Sequence, residues 1–319
     1  MKAWLFTGAR QPFQLIERET PRPGRGEVLL EVRAAGLCHS DVGRMDGTLT
    51  PFLPKTPPII LGHEVAGVVA ATGPDAANYR PGDRVVISGT LEYCPGWSAD
   101  GGYATHCTAP AGSLVRLPDR VSFVQGAAAT DAGQTSHRAV MVAGELRAGQ
   151  RVGVVGLGGL GMTGARIAVL HGAQVYAAEP RREAWAAAQR QGVVEVVDDV
   201  LQLAPYDLDL IVDFAGFGDT TIGAIRAVRR GGLVVQVGLG RTEALISTAE
   251  LVGKSVTLRG SGGGRPSDTA AVLGHMARGE LTIPAVTIGF DEIPDGLERL
   301  ERGGVVGRIV AEIGPGSAG

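Results

Sequence analysis

Apolar and polar positions alternate over short stretches in the first third of the chain, then give way to strand-length and helix-length blocks in the middle. Residues 26–33, Gly-Glu-Val-Leu-Leu-Glu-Val-Arg, carry the period of two that belongs to a half-buried strand, and residues 65–71 and 84–87 predict further strands. No long amphipathic helix interrupts this region. Residues 51–58 hold four prolines. Proline fixes φ and removes an amide donor, so this stretch predicts a rigid surface loop.

The texture changes near Phe123. A helical stretch over 127–142 leads into strands at 152–155, 175–178, 210–214 and 233–237, separated by helical segments. Strands spaced by helices predict a parallel sheet covered on both faces. Beyond Gly262-Gly263-Gly264 the pattern shows one helical segment, 267–278, and a closing strand, 305–313. So short a tail cannot bury a core of its own and is assigned to the amino-terminal part. The expected class is α/β. Residues 1–124 and 261–319 form a β-rich domain, and residues 125–260 form an inserted, doubly wound parallel-sheet domain.

Composition narrows the partners. With 319 residues and 44% hydrophobic positions, two full cores are within reach. Thirty basic against 33 acidic residues give a net charge of -3 without any Lys/Arg block, so neither nucleic acid nor an anionic membrane is an expected partner. No apolar run approaches the roughly 20 residues of a membrane span. The start Met1-Lys2-Ala3-Trp4 lacks the apolar stretch of a secretory signal. A cytoplasmic location is therefore expected. Cys38, Cys94 and Cys107 are too few, and odd in number, for a disulfide framework, and each is expected to be a free thiol or a metal ligand.

Val154-Val155-Gly156-Leu157-Gly158-Gly159-Leu160-Gly161 places G-x-G-x-x-G where a strand ends and a helix begins. In that context Gly156 allows the tight turn, Gly158 lets backbone approach a pyrophosphate, and Gly161 lets helix and sheet pack closely. The helix amides and dipole then favour the anion, with Gly159 at the helix start. Glu179 follows the second strand of the block, about 20 residues on, where a carboxylate meets a ribose 2'-hydroxyl. This favours NAD. Arg181 and Arg182 stand close behind and could accept the 2'-phosphate of NADP, or could simply begin a solvated helix.

A second constellation lies in the β-rich part. Gly36-Leu37-Cys38-His39-Ser40-Asp41 and Gly62-His63-Glu64 bring a thiol, an imidazole and carboxylates within one short stretch, the ligand types of a catalytic zinc. Singly, such a cysteine or histidine is more often ordinary packing.

With these motifs, Pro81-Gly82-Asp83-Arg84-Val85, Asp100-Gly101-Gly102-Tyr103 and Gly307-Arg308-Ile309-Val310, the chain resembles the zinc-dependent alcohol dehydrogenase branch of the medium-chain dehydrogenase/reductase superfamily. The resemblance implies a GroES-like β-rich catalytic domain formed by both chain ends, with a Rossmann domain inserted. It implies Cys38, His63 and Asp131 as metal ligands, Asp131 standing where many members have cysteine. Glu64 matches an alternative ligand, Asp41 a group that orients the ligand histidine, and Ser40 the hydroxyl that bonds the substrate alcohol. His39 and Arg308 match positions near the cofactor pyrophosphate, and Thr135 a neighbour of the nicotinamide. The implied reaction is hydride transfer between an alcohol, aldehyde or ketone and a nicotinamide cofactor, in a homodimer or homotetramer.

Two departures stand out. The four-cysteine lobe that holds a structural zinc in the family is reduced to Cys94 within residues 86–102, so one catalytic zinc and no structural zinc are expected, and Cys107 is expected in the core. Position 43, where a histidine often ends the proton relay, is glycine. Leu49, Phe52 and Trp97 fall in loops that could line a pocket or merely pack. Two other functions fit the same architecture: a metal-free reductase of activated double bonds, disfavoured by the Cys38 and His63 pair, and a silent nucleotide-binding sensor.

Overall fold

The computed structural model describes residues 1–314 other than 53, 91 and 306. It divides into two compact units, Met1–Gln134 with the chain from Gly263 onward, and Thr135–Gly262.

The long strand Glu27–Leu37 is the spine of the first unit, pairing antiparallel with Glu64–Thr72, His106–Pro110 and Arg308–Glu312. The sheet continues through Arg84–Ile87 to Leu114–Arg116 on one side and Ala285–Gly289 on the other. Val28, Leu30 and Val32 are fully buried. They join Ile60, Val65, Ile87 and Leu297 in one apolar cluster. At about 1.5–3 kcal/mol per buried Val, Leu or Ile side chain, this face is what holds the strands in register. Register in turn places the site. Gly36 pairs with Glu64 and Leu37 with Ile309, so Cys38 leaves the spine beside the starts of two neighbouring strands.

The second unit holds a six-stranded parallel sheet in the order Glu195–Val197, Gln174–Ala178, Arg151–Val155, Leu208–Asp213, Val228–Gln236, Thr257–Gly260. Numbered within the unit this is 3-2-1-4-5-6, the Rossmann order, in which ligands bind where the direction of winding reverses. That point lies between Arg151–Val155 and Leu208–Asp213, just before helix Gly159–Leu170.

The division between the units falls within the helical stretch, after Gln134, rather than at its start. Its first turns, Phe123–Ala128, pack on Glu27–Leu37 and Glu64–Thr72. The tail carries a second helix, Ile293–Arg302, beyond the expected one, which spans Pro266–Ala277. Ile293, Leu297 and Leu300 give it a buried stripe. Pro294 and Gly296 mask that period in the sequence, although proline is well tolerated in a first turn. The closing strand is Arg308–Glu312, shorter than expected, and position 306 of the expected span lies outside the described residues.

Candidate metal centre and dinucleotide turn

Cys38 has extended backbone, φ -124 and ψ 151, and caps helix His39–Met45. Asp41 in the first turn accepts a hydrogen bond from the Cys38 N–H at 3.2 Å, which fixes where strand becomes helix. The second arm of the site depends on Gly62, whose φ is +93 and whose Cβ, if present, would stand 2.6 Å from the Tyr103 ring. Only glycine makes this turn without strain. Tyr103 N–H donates to the Leu61 carbonyl at 3.0 Å and Gly102 N–H to that of Gly62 at 2.8 Å. The Gly-His-Glu and Asp-Gly-Gly-Tyr segments thereby interlock. The Tyr103 hydroxyl donates to Asp41 Oδ2 at 2.8 Å, and Asp41 Oδ1 faces His63 Nδ1 at 3.4 Å.

The third arm is Asp131, on a π-helical turn, Ala129–Gly133. Its Oδ2 lies 3.3 Å from Cys38 Sγ and 3.8 Å from His63 Nε2. One ligand atom from each of Cys38, His63, Glu64 and Asp131 falls within 4.8 Å of the others. A tetrahedral zinc with bonds of roughly 2.0–2.3 Å requires donor-to-donor edges of about 3.3–3.8 Å. The donor set therefore fits zinc in type, and the two edges from Asp131 fit it in spacing.

Charge is balanced around these donors. The Arg308 guanidinium, 5% exposed, donates to Glu64 Oε1 and, at 2.7 Å, to Asp131 Oδ2. Glu64 Oε2 is buried without a hydrogen-bond partner among the described residues. Burial alone would raise the pKa of Asp41, but His63, the Tyr103 hydroxyl and Arg44 hold it below the usual carboxylate range. Burial would lower that of His63, but Asp41, Asp131 and Cys38 together raise it well above the usual imidazole range.

Ser40 is half-buried, its Oγ 3.6 Å from Cys38 Sγ, while His39 is exposed at the start of the same helix. A histidine at 43 has no room, because even a Cβ there would lie 2.8 Å from the Leu49 side chain. Leu49 is packed away, Phe52 is 63% exposed, and Trp97 stands edge-on to His63 with ring centroids 6.2 Å apart. Arg308, matched to the pyrophosphate by resemblance, is engaged by two carboxylates of this cluster. Sequence reasoning assigned no role to Tyr103 or Arg44. The Asp-Gly-Gly-Tyr motif was the only signal for the former, and nothing marked the latter.

In the second unit Gly156 has φ +84, and a Cβ at Gly161 would overlap the Gly156 carbonyl oxygen, whereas the space beside Gly158 is open. Gly159 begins the helix and Thr135 is buried. Glu179 is 3% exposed. Its Oε2 accepts the Leu157 N–H at 2.7 Å and its Oε1 the Arg181 N–H at 3.0 Å and Nε at 2.9 Å. Burial would raise its pKa, but these donors hold it below the usual range. Glu179 thus braces the glycine-rich turn, and Arg181 is folded onto it. Arg182 instead pairs with Asp198.

Comparisons with known proteins agree with both halves of this picture. Residues 24–119 match the alcohol dehydrogenase GroES-like domain and residues 159–278 the zinc-binding dehydrogenase domain. An alcohol dehydrogenase of Geobacillus stearothermophilus is 31% identical over 98% of this chain and 100% of its own. The structure of the alcohol dehydrogenase from Aeropyrum pernix superposes with a TM-score of 0.90 at 28% identity, covering 98% of this chain and 100% of that one. Acetophenone reductase from Geotrichum candidum in complex with NAD gives 0.89 at 27%, covering 98% and 96%.

Proposed function

The chain belongs to the zinc-dependent alcohol dehydrogenases of the medium-chain dehydrogenase/reductase superfamily and is an NAD(P)-dependent oxidoreductase acting between small alcohols and carbonyl compounds; on that premise we propose that Cys38, His63 and Asp131 hold a single catalytic zinc and that NAD is the preferred cofactor. The observation that carries the metal assignment is the convergence of three unlike donors from three separate segments, with Asp131 standing from both Cys38 and His63 at the edges a tetrahedral ion requires. Glu64, with one buried oxygen unpaired among the described residues, is the reserve ligand.

A zinc ion bound there supplies Lewis-acid polarisation of the substrate oxygen and eases loss of the alcohol proton. The chain supplies the rest. Asp41 takes the Nδ1 side of His63, leaving Nε2 turned toward Cys38 and Asp131. Ser40, being both donor and acceptor, receives the alcohol proton and passes its own onward. With no histidine at 43, the proton leaves from Ser40 to water or to the cofactor ribose. Arg308 balances Glu64 and Asp131, so that their charges do not repel each other.

The cofactor preference is supported by Glu179 and by the engagement of Arg181, whose guanidinium is bound to that carboxylate rather than free for a 2'-phosphate. The test is metal analysis of purified protein with an alcohol and ketone panel under both cofactors. One zinc per chain and a higher kcat/KM with NAD are expected. Two zincs or none after supplementation, or a preference for NADP, would overturn the respective half.

A further inference from the structure

Among the described residues Arg44 is the largest fully buried side chain of the first unit, and its guanidinium finds few hydrogen-bond partners there. Nη1 donates to the Gly96 carbonyl, while Nε and Nη2 are buried without a hydrogen-bond partner among the described residues. Taking a guanidinium out of water costs several kcal/mol in effective terms, and an apolar side chain of similar volume would fill the space without that cost. What an apolar residue could not do is visible next to it. The guanidinium carbon lies 4.2 Å from the centroid of the Trp97 ring, a face-on cation–π contact. The same indole forms a T-shaped pair with the ring of His63, centroids 6.2 Å apart at an interplanar angle of 81°.

Arg44 also sits three positions after Asp41 on helix His39–Met45, the helix capped by Cys38. Its charge attracts the Asp41 carboxylate, which faces His63 Nδ1. His63 is therefore held on two sides by groups that both lead back to Arg44: Asp41 along the helix, and Trp97 across the loop stapled at Gly96.

We propose that Arg44 and Trp97 are positioning residues that lock the His63 ring in its ligating orientation, so that the retention and geometry of the metal depend on a stacked pair that supplies no ligand to it. This rests on the assignment of the metal to Cys38, His63 and Asp131. A guanidinium both stacks and anchors; an ammonium gives charge without the planar face. Phenylalanine at 97 keeps a ring for both contacts, whereas leucine keeps neither.

The experiment uses zinc-loaded protein and its cobalt-substituted form, for wild type, Arg44→Met, Arg44→Lys, Trp97→Phe and Trp97→Leu. Zinc release to a chromogenic chelator and the visible absorption of cobalt are recorded, with NADH fluorescence titration as the check that each chain is folded. Arg44→Met and Trp97→Leu are expected to release zinc at least about tenfold faster, in the range seen for lost ligand-orienting groups, and to shift the cobalt bands, with NADH affinity unchanged. Trp97→Phe is expected to stay near wild type and Arg44→Lys not to restore it. Wild-type release rates and cobalt bands in a folded Arg44→Met would overturn the proposal. Should that variant fail to fold, wild-type behaviour in Trp97→Leu, whose side chain is only half-buried, would overturn it equally. A wild-type protein that holds no zinc overturns the metal assignment and this inference with it, whereas normal zinc in wild type and variants alike overturns this inference alone.

Discussion

Cys38 and Asp131, 93 positions apart in the chain, bring sulfur and carboxylate oxygen to 3.3 Å of each other. The same Asp131 oxygen takes the Arg308 guanidinium at 2.7 Å, so one atom serves both the donor cluster and its charge balance. Asp131→Asn keeps the shape but removes the charge. It is expected to weaken zinc binding on the order of 100-fold or more, beyond what loss of an orienting group produces, and to leave NADH binding intact. Cys38→Ala should do the same. Competition with a chelator of known affinity measures both, and retention of one zinc in either variant would refute the ligand set.

The Ser40 hydroxyl, proposed as the proton carrier, lies beside Cys38 at the start of helix His39–Met45. Ser40→Ala should lower kcat by roughly 100- to 10,000-fold, the scale of lost general acid–base help, with little change in NADH affinity. Stopped-flow and steady-state rates of alcohol oxidation test this. An unchanged kcat would remove Ser40 from the relay.

Glu179 joins the glycine-rich turn to Arg181 through the Leu157 N–H. Glu179→Gln is expected to raise the KM for NAD about tenfold and to narrow the preference over NADP, with kcat at saturation nearly constant. It also has a pH signature. Because the folded-state pKa lies below the usual 4.5, Glu179 contributes stability that is present above that value and lost as pH falls through the lower one. Urea unfolding at pH 7 and pH 4 should therefore show a smaller acid-induced loss in Glu179→Gln than in wild type.

Burial pushes the Cys94 thiol up to about 11 and the Cys107 thiol up to about 12. The thiolate is the reactive form, so at pH 8 only about one Cys94 in a thousand is reactive. Iodoacetamide at pH 8 should leave both positions unmodified by peptide mass analysis, and Cys94 labelling should rise with pH toward 10. Rapid labelling of Cys94 at pH 7 would contradict the packing described.

Gly62→Ala meets two obstacles at once, a φ of +93 and a Cβ against the Tyr103 ring. The left-handed backbone and the overpacking together predict a loss of about 2–5 kcal/mol. Thermal unfolding measures it, and zinc should be lost with stability, since this turn delivers His63 and Glu64.

The amino-acid sequence by itself determined the α/β class, the G-x-G-x-x-G turn with Glu179 beyond it, and the residue types of the candidate metal site. Each of these is written in local periodicity or in a short motif, and a period of two or a glycine at a fixed offset means the same thing wherever it occurs. The helix Ile293–Arg302 escaped because Pro294 and Gly296 disguise its buried stripe, and the strands Glu195–Val197 and Thr257–Gly260 because three or four residues are too few to show alternation. What only the tertiary structure decided are relationships between distant segments. Strand register set Cys38 beside the start of Glu64–Thr72, and packing of the first helical turns brought Asp131 to them. The partners of Arg308, the support of Asp41 by Tyr103, the sealing of Arg44 over Trp97 and the exclusion of a side chain at Gly43 by Leu49 followed from the same close packing. No pattern along the chain encodes such meetings. They arise only when the two faces of a sheet have been buried and each remaining polar group must find its partner among whatever that burial has brought near.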